Sequence, residues 1–474
     1  MLLVNVSTAQ QVEVRVADDF ELHTSRKSYV LAVNGQELEV LPASPPAAGA
    51  VTWETAAAQA TACSPSGPQN IAVLLVNFPG TRLPAHVTPS FVESAFFNSS
   101  HSIDTYWREA SYNRMTAAGQ VFGPFTLGAD FTCNDVGAIR DAAIAAAGSV
   151  ADLRNFSRIF IIMPPAGRCP IGVATLGCGP ISSAKGTFTA STSWLRADYL
   201  TDADHLISVG AHEGGHNLGL DHASTLDHGA QPLAAPGVGG TYREYWDVYS
   251  AMGLNFGVGR TMLIGHYAAP HKTALGWLDN GADYRTVTSS GVFTLAPYES
   301  AAPGLKALKI QRPGSNKWLW VEYRQPAGQW DTALGLYGSN LYSGALIHYE
   351  DPDDAAHTGQ SVLLDFTPLA DPNDFSDAAL VSGRAWNDPD SGLAISIGGA
   401  TSSELQVSVT FPPSACDLNG DGVVDGADVQ LAINRVLGLI DCGKGDLDGS
   451  GRCDAGDLQR VVTAAAGGSC RTGQ

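Results

Sequence analysis

The stretch His-Glu-Gly-Gly-His-Asn-Leu-Gly-Leu-Asp-His, residues 212–222, combines side chains that bind metals with one that moves protons. His212 and His216 are four residues apart, so on a helix both imidazoles leave the same face and can share one ion. Glu213 follows the first histidine and aims beside the metal, at a water. Gly219 can adopt a positive φ and end the helix with a sharp reversal. That reversal would bring His222 back as a third ligand. Three neutral imidazoles and one water make a four-coordinate catalytic zinc site with an open position. The chemistry expected of such a site is peptide hydrolysis by a zinc-activated water. Glu213 is then the general base, taking the water proton and passing it to the leaving amine.

A second set of chemically suggestive residues lies at the C-terminus, where DLNGDGVVDGADVQ recurs as DLDGSGRCDAGDLQ. An EF-hand loop needs oxygen ligands at positions 1, 3, 5, 9 and 12 and glycine at position 6. The first copy offers Asp417, Asn419, Asp421, Gly422, Asp425 and Asp428. The second offers Asp446, Asp448, Ser450, Gly451, Asp454 and Asp457. Two calcium ions, one per loop, are therefore expected. The second should bind more weakly, because Ser450 replaces a carboxylate.

These residues need elements to hold them. ADHLISVGAHEGGHNLG predicts a helix capped by Asp202 or Asp204. IAVLLVNF and RIFIIMPP are apolar runs of strand length, the second stopped by Pro164-Pro165, and VGAIRDAAIAAAGSV reads as a helix. Strands mixed with helices imply an α/β (α+β) domain over residues 70–280. Residues 281–412 show only short strands separated by Gly, Pro, Asp and Asn, the pattern of a β-sandwich. Residues 416–474 form a small α-helical calcium-binding module. Residues 1–62 read as a strand-rich N-terminal region, joined by an Ala/Pro/Ser-rich stretch that suits a linker or a propeptide junction.

Composition narrows the function. The chain of 474 residues carries a formal net charge of -20, which argues against nucleic acid or an anionic membrane surface as partner. No apolar run is long enough to span a bilayer. Eight cysteines without a CxxC pair point to disulfides and an extracytoplasmic compartment. The N-terminus shows no charged signal-peptide region, so export rests on the cysteines and the chemistry. Cys63 has two readings: one half of a disulfide, or a thiolate that occupies the open zinc position and keeps the enzyme latent.

The motif HEGGHNLGLDH, followed by YWDVYSAMG with Met252, resembles the metzincin clan of zinc peptidases. The stretches IAVLLVNF, IDTYWREASYNRM, HKTALGWL, WLWVEYRQP, SVLLDFTP and VSGRAW extend the likeness to its gametolysin-like peptidases. The resemblance implies a secreted endopeptidase acting on extracellular or cell-wall proteins. It also implies that Met252 forms an apolar floor beneath the histidines. Some metzincins carry an oxyanion-stabilising tyrosine two residues past the methionine; here that position is Leu254. Leu254 and Phe256 are expected to wall an apolar pocket for the substrate side chain. The loop-helix repeats resemble a dockerin module, which implies a cohesin-type or cell-surface anchoring partner. Gly426-Ala427 and Ala455-Gly456 replace the polar residues that usually recognise a cohesin. The rival expectation is a non-catalytic adhesion or scaffold protein using the sandwich and the C-terminal module; the intact Glu213 favours the enzyme.

Overall fold

The computed structural model describes residues 64–473, apart from 166–168, 236–237, 254–262, 337–339, 358, 369–374, 467 and 469. It also describes the backbone of four short N-terminal strands. These pair as two antiparallel hairpins, β1 (Leu2–Asn5) with β2 (Gln11–Val14) and β3 (Tyr29–Val33) with β4 (Gln36–Val40). Leu254, Phe256 and Cys63 lie outside the described residues, and so does the pocket expected around the first two. The chain is mixed α/β and divides into two compact units. One comprises residues 1–105 and 116–219, the other residues 106–115 and 220–474.

The first unit is built on β5 (Gly67–Asn77), β6 (Met115–Thr126), β7 (Arg158–Met163), β8 (Gly172–Ala174), β9 (Gly179–Ser183) and β10 (Gly186–Arg196), in the order β6-β5-β7-β10-β8 with β9 also on β10. β5, β7 and β10 run parallel, whereas β8 and β9 are antiparallel to β10. Ile71 to Val76 and all of β7 are buried, as strands covered on both faces require. The helix Val136–Ala147 buries Ile139, Ala143, Ile144 and Ala147, a three- and four-residue spacing that makes one apolar stripe. That stripe shares a core with Leu74, Ile159, Ile161 and Trp194.

The second unit contains a large mixed sheet. Its strands are β11 (Ala223–Asp227), β12 (Thr241–Arg243), β13 (Tyr284–Val287), β15 (Ala307–Gln311), β16 (Trp318–Glu322), β17 (Gly344–Glu350), β18 (Ser361–Leu364) and β19 (Leu380–Val381). The order is β12-β11-β18-β17-β16-β15-β13, with β19 on β17. A four-stranded sheet of β14 (Gly291–Leu295), β22 (Leu405–Thr410), β21 (Ala394–Ala400) and β20 (Ala385–Asn387) shares its core, where Leu319 and Ile347 meet Ile395 and Val407. Two sheets filling one core are a sandwich.

The compact units divide at Gly219. The reason is β11, which follows the histidine motif and pairs in parallel with β18 from Ala223↔Ser361 to Leu226↔Leu364. A five-residue strand spelled ASTLD carries too little apolar alternation to announce itself.

Residues 416–470 form two helices, Gly426–Val436 and Ala455–Ala465, around a small core of Cys416, Leu418, Ala432, Leu447 and Val461. Disulfides Cys416–Cys470 and Cys442–Cys453 staple it, as so small a core needs. Cys169 and Cys178 are also disulfide-bonded. No helix among the described residues is long and apolar enough to cross a membrane. The disulfides fit an extracellular protein.

Candidate metal centre

The motif helix runs Ala203–Asn217, and Asp202 caps it by accepting the His205 N–H at 3.0 Å. Asp204, the other expected cap, bonds His101 instead. At the C-terminal end, the N–H of Gly219 donates to the His216 carbonyl at 2.8 Å, and Gly219 has φ +97. This left-handed residue supplies the expected reversal, since a side chain there would be strained.

Asn217, one residue past the second histidine, ties the helix to the sheet. It is fully buried. Its amide donates to the carbonyls of Thr175 at 3.1 Å and Thr192 at 3.2 Å, and its Oδ1 accepts from the Ser193 hydroxyl at 2.8 Å. The buried Arg158 guanidinium donates to its backbone carbonyl at 2.9 Å. The bond from the Gly177 N–H to the His216 carbonyl, 2.8 Å, adds another tie. The second histidine therefore stands on a turn locked by buried hydrogen bonds.

Glu213 is 5% exposed and packs against the backbone of β8. A Cβ built on Gly172 would lie 2.1 Å from Glu213 Oε1 and 2.6 Å from its Cδ, so only glycine leaves room for this carboxylate. Burial pushes the carboxyl up to about 8. A cation held by the adjacent histidines would draw it down again.

Within residues 212–222, one ring nitrogen each of His212, His216 and His222 lies within 4.8 Å of the others. The His212 and His216 rings stand at 83° with centroids 5.0 Å apart. His222 Nδ1 meets Glu244 Oε1 at 2.6 Å. A carboxylate only accepts, so Nδ1 carries a proton, and in the neutral imidazole Nε2 is then the nitrogen with a free lone pair. The Tyr245 ring lies on His222, centroids 3.7 Å apart. The His222 carbonyl accepts from the Ser361 N–H at 3.3 Å.

The methionine turn supports the next residue. Met252 is fully buried, and its carbonyl accepts the Ala223 N–H at 2.9 Å. Asp247, also fully buried, bonds His348 Nε2 at 3.1 Å and accepts the Tyr249 N–H at 3.0 Å. Tyr249 is core, with its hydroxyl on the Ser376 carbonyl. The carboxylate that meets the His222 ring at Nδ1 is that of Glu244. Burial, with Glu244 nearby, pushes the Asp221 carboxyl up to about 6. Sequence reasoning missed Glu244, Asn217 and Gly172. Asn217 stands inside the motif and could have been weighed; the other two gave no local signal.

The two C-terminal loops are folded alike. Asp417 accepts the N–H of Gly420 at 2.7 Å and of Gly422 at 2.8 Å, and Asp446 accepts those of Ser450 at 2.9 Å and Gly451 at 2.8 Å. Asp428 and Asp457 reach back to the N–H groups of Leu418 and Leu447, each at 2.7 Å. Asp425 and Asp454 cap the helices that follow, which is a structural use for both. Carboxylate oxygens of Asp446, Asp448 and Asp457 lie within 4.8 Å of one another. In the first loop the Asn419 amide donates to Asp421 at 2.9 Å.

No family model matches the chain, and no curated protein matches it. Among solved structures, one titled "Structure of a chaperone-substrate complex" is similar at 17% identity over 44% of this chain, with a TM-score of 0.19. The chain spans 29% of that protein's length, and a likeness this slight carries no argument about fold or function.

Proposed function

We propose that this chain is a secreted zinc-dependent endopeptidase, with His212, His216 and His222 as ligands and Glu213 as general base. The observation that carries the reading is the convergence of three imidazole nitrogens beside a buried, sterically fitted carboxylate. Zinc–nitrogen bonds of about 2.1 Å place tetrahedral ligands about 3.4 Å apart, a contraction open to side chains already grouped within 4.8 Å. An all-imidazole set suits zinc rather than magnesium or calcium. The metzincin-like spacing of the motif and Met252 supports the same reading.

A zinc ion held there supplies Lewis acidity toward a peptide carbonyl and lowers the pKa of a water. The protein's own residues do the rest. Glu213 takes a proton from the attacking water and delivers it to the leaving nitrogen. Gly172 and β8 fix the carboxylate. β8 is the last strand of its sheet and is half-exposed, so an extended peptide can add to its edge by backbone hydrogen bonds.

The C-terminal repeats are proposed as two calcium sites of a dockerin-like module. They stabilise a stapled anchor, whose partner is of cohesin or cell-surface type. The test is casein or gelatin hydrolysis by the chain with and without its N-terminal region, before and after chelation. Chelator-sensitive hydrolysis restored by zinc is expected. A zinc-loaded chain with no hydrolytic activity would favour an adhesion protein instead.

A further inference from the structure

The segment Thr241–Asp247 does more than connect the motif to the methionine turn. β12 pairs with β11, Thr225↔Arg243 to Asp227↔Thr241, so the segment starts as the edge of the large sheet. It ends at Asp247, which is anchored in the core by His348 and by the bond from its own N–H to the Ala223 carbonyl at 3.3 Å. Between these fixed ends, Glu244 and Tyr245 both meet His222, one at the ring edge and one on the ring face. Tyr245 pays for that placement with φ +69, a left-handed conformation that a tyrosine rarely adopts. Its side chain and that of Glu244 are partly buried. Tyr242, on the same strap, stacks on His357 with centroids 3.8 Å apart and donates to Ser224 at 2.6 Å, which holds the strap along its length.

We infer that Glu244 and Tyr245 form a two-sided clamp that pre-orients His222 for the metal, and that they are positioning residues of the zinc site. His222 is the one ligand carried by a loop, beyond the helix that rigidly sets the other two. Without the clamp its ring could rotate about two bonds, and metal binding would have to order it. The carboxylate fixes the tautomer and makes Nε2 a stronger donor, while the aromatic face blocks rotation. The inference rests on the zinc reading above and deepens it.

The test is zinc affinity of the full chain, measured by competition with a chromophoric chelator in excess calcium, so that the C-terminal loops do not compete. Removing a carboxylate that orients a ligating histidine lowers metal affinity by about 10–100-fold. Glu244→Ala should show that loss, and Glu244→Gln, which still accepts the Nδ1–H but lacks the charge, a smaller one. Tyr245→Phe should bind as the wild type does, because the ring remains. Tyr245→Asn, which tolerates a positive φ, should fold with an unchanged or higher melting temperature yet bind zinc more weakly. The cobalt-substituted variants should show an altered d–d absorption band, a readout that a loss of folding stability alone does not move. Equal zinc affinity in Glu244→Ala, Tyr245→Asn and wild type would overturn the clamp while leaving the zinc site standing. A wild type that takes up no zinc would overturn the zinc reading and the clamp with it.

Discussion

Replacing Gly172 with alanine places a methyl group where the Glu213 carboxylate now sits. The new carbon would lie 2.1 Å from Oε1, 2.6 Å from Cδ and 2.7 Å from Cγ, against the 3.4 Å at which ordinary contact begins. To clear it, Oε1 must move by 1.3 Å, the difference between 3.4 and 2.1 Å. A misplacement of about 1 Å in a catalytic group is worth roughly 100-fold in rate. The three histidines proposed as zinc ligands are untouched, so kcat should fall by about that factor while zinc content holds at the wild-type level. Overpacking at a strand edge should lower stability by about 1–3 kcal/mol, leaving the protein folded at room temperature. The assay is hydrolysis of a fluorogenic peptide, run with metal analysis and a urea melt on the same preparation. Activity within twofold of wild type would refute the claim that the fit of Glu213 against β8 sets the rate.

Three other changes test separate parts of the account. Asn217→Leu keeps the branched shape but strands the Thr175 carbonyl and the Ser193 hydroxyl, whereas the Thr192 carbonyl keeps the Thr175 N–H at 2.9 Å; it should cost about 2–4 kcal/mol in urea unfolding. Lys272 is fully buried, between the Tyr112 hydroxyl and His266 Nδ1, each at 3.0 Å, and burial followed by the nearby Arg324 pulls its ammonium down to about 7. Between pH 7 and the unfolded lysine value the unfolded chain binds more protons, so this residue makes stability rise with pH in that window. Lys272→Met should remove about 2 kcal/mol of the gain between pH 7 and 9, and a wild-type curve as flat as the variant's would refute it. Asp457→Ala removes the acceptor of the Leu447, Asp448 and Asp454 N–H groups and should abolish calcium uptake by the second loop while leaving the first. Calorimetric titration of the wild type should resolve two sites, the weaker one lost in the variant.

What could be read from the sequence followed from periodicity and from residues with one conformational role. The buried strands at Ile71–Val76 and Arg158–Met163 were visible as apolar runs, and Gly219 as the only residue type suited to the reversal. Asp202 and Asp204 were equal candidates for the helix cap, and only the path of the preceding backbone separates them. The site's supports were hidden for a different reason. Glu244 meets His222 across 22 residues, and Gly172 matters through its missing side chain beside Glu213. Neither pairing leaves a pattern in the chain. The placement of β11 in the large sheet is likewise a long-range pairing that five residues do not encode alone.

The most direct measurement of the central claim is zinc stoichiometry and peptide hydrolysis taken together on wild type, Glu213→Ala and His222→Ala. The account predicts one tightly held zinc and chelator-sensitive hydrolysis in the wild type. Glu213→Ala should keep the zinc but lose activity by about 100- to 10,000-fold, because the base is gone and the ligands remain. His222→Ala should lose both. Undiminished hydrolysis by Glu213→Ala, or unchanged zinc binding by His222→Ala, would contradict the account.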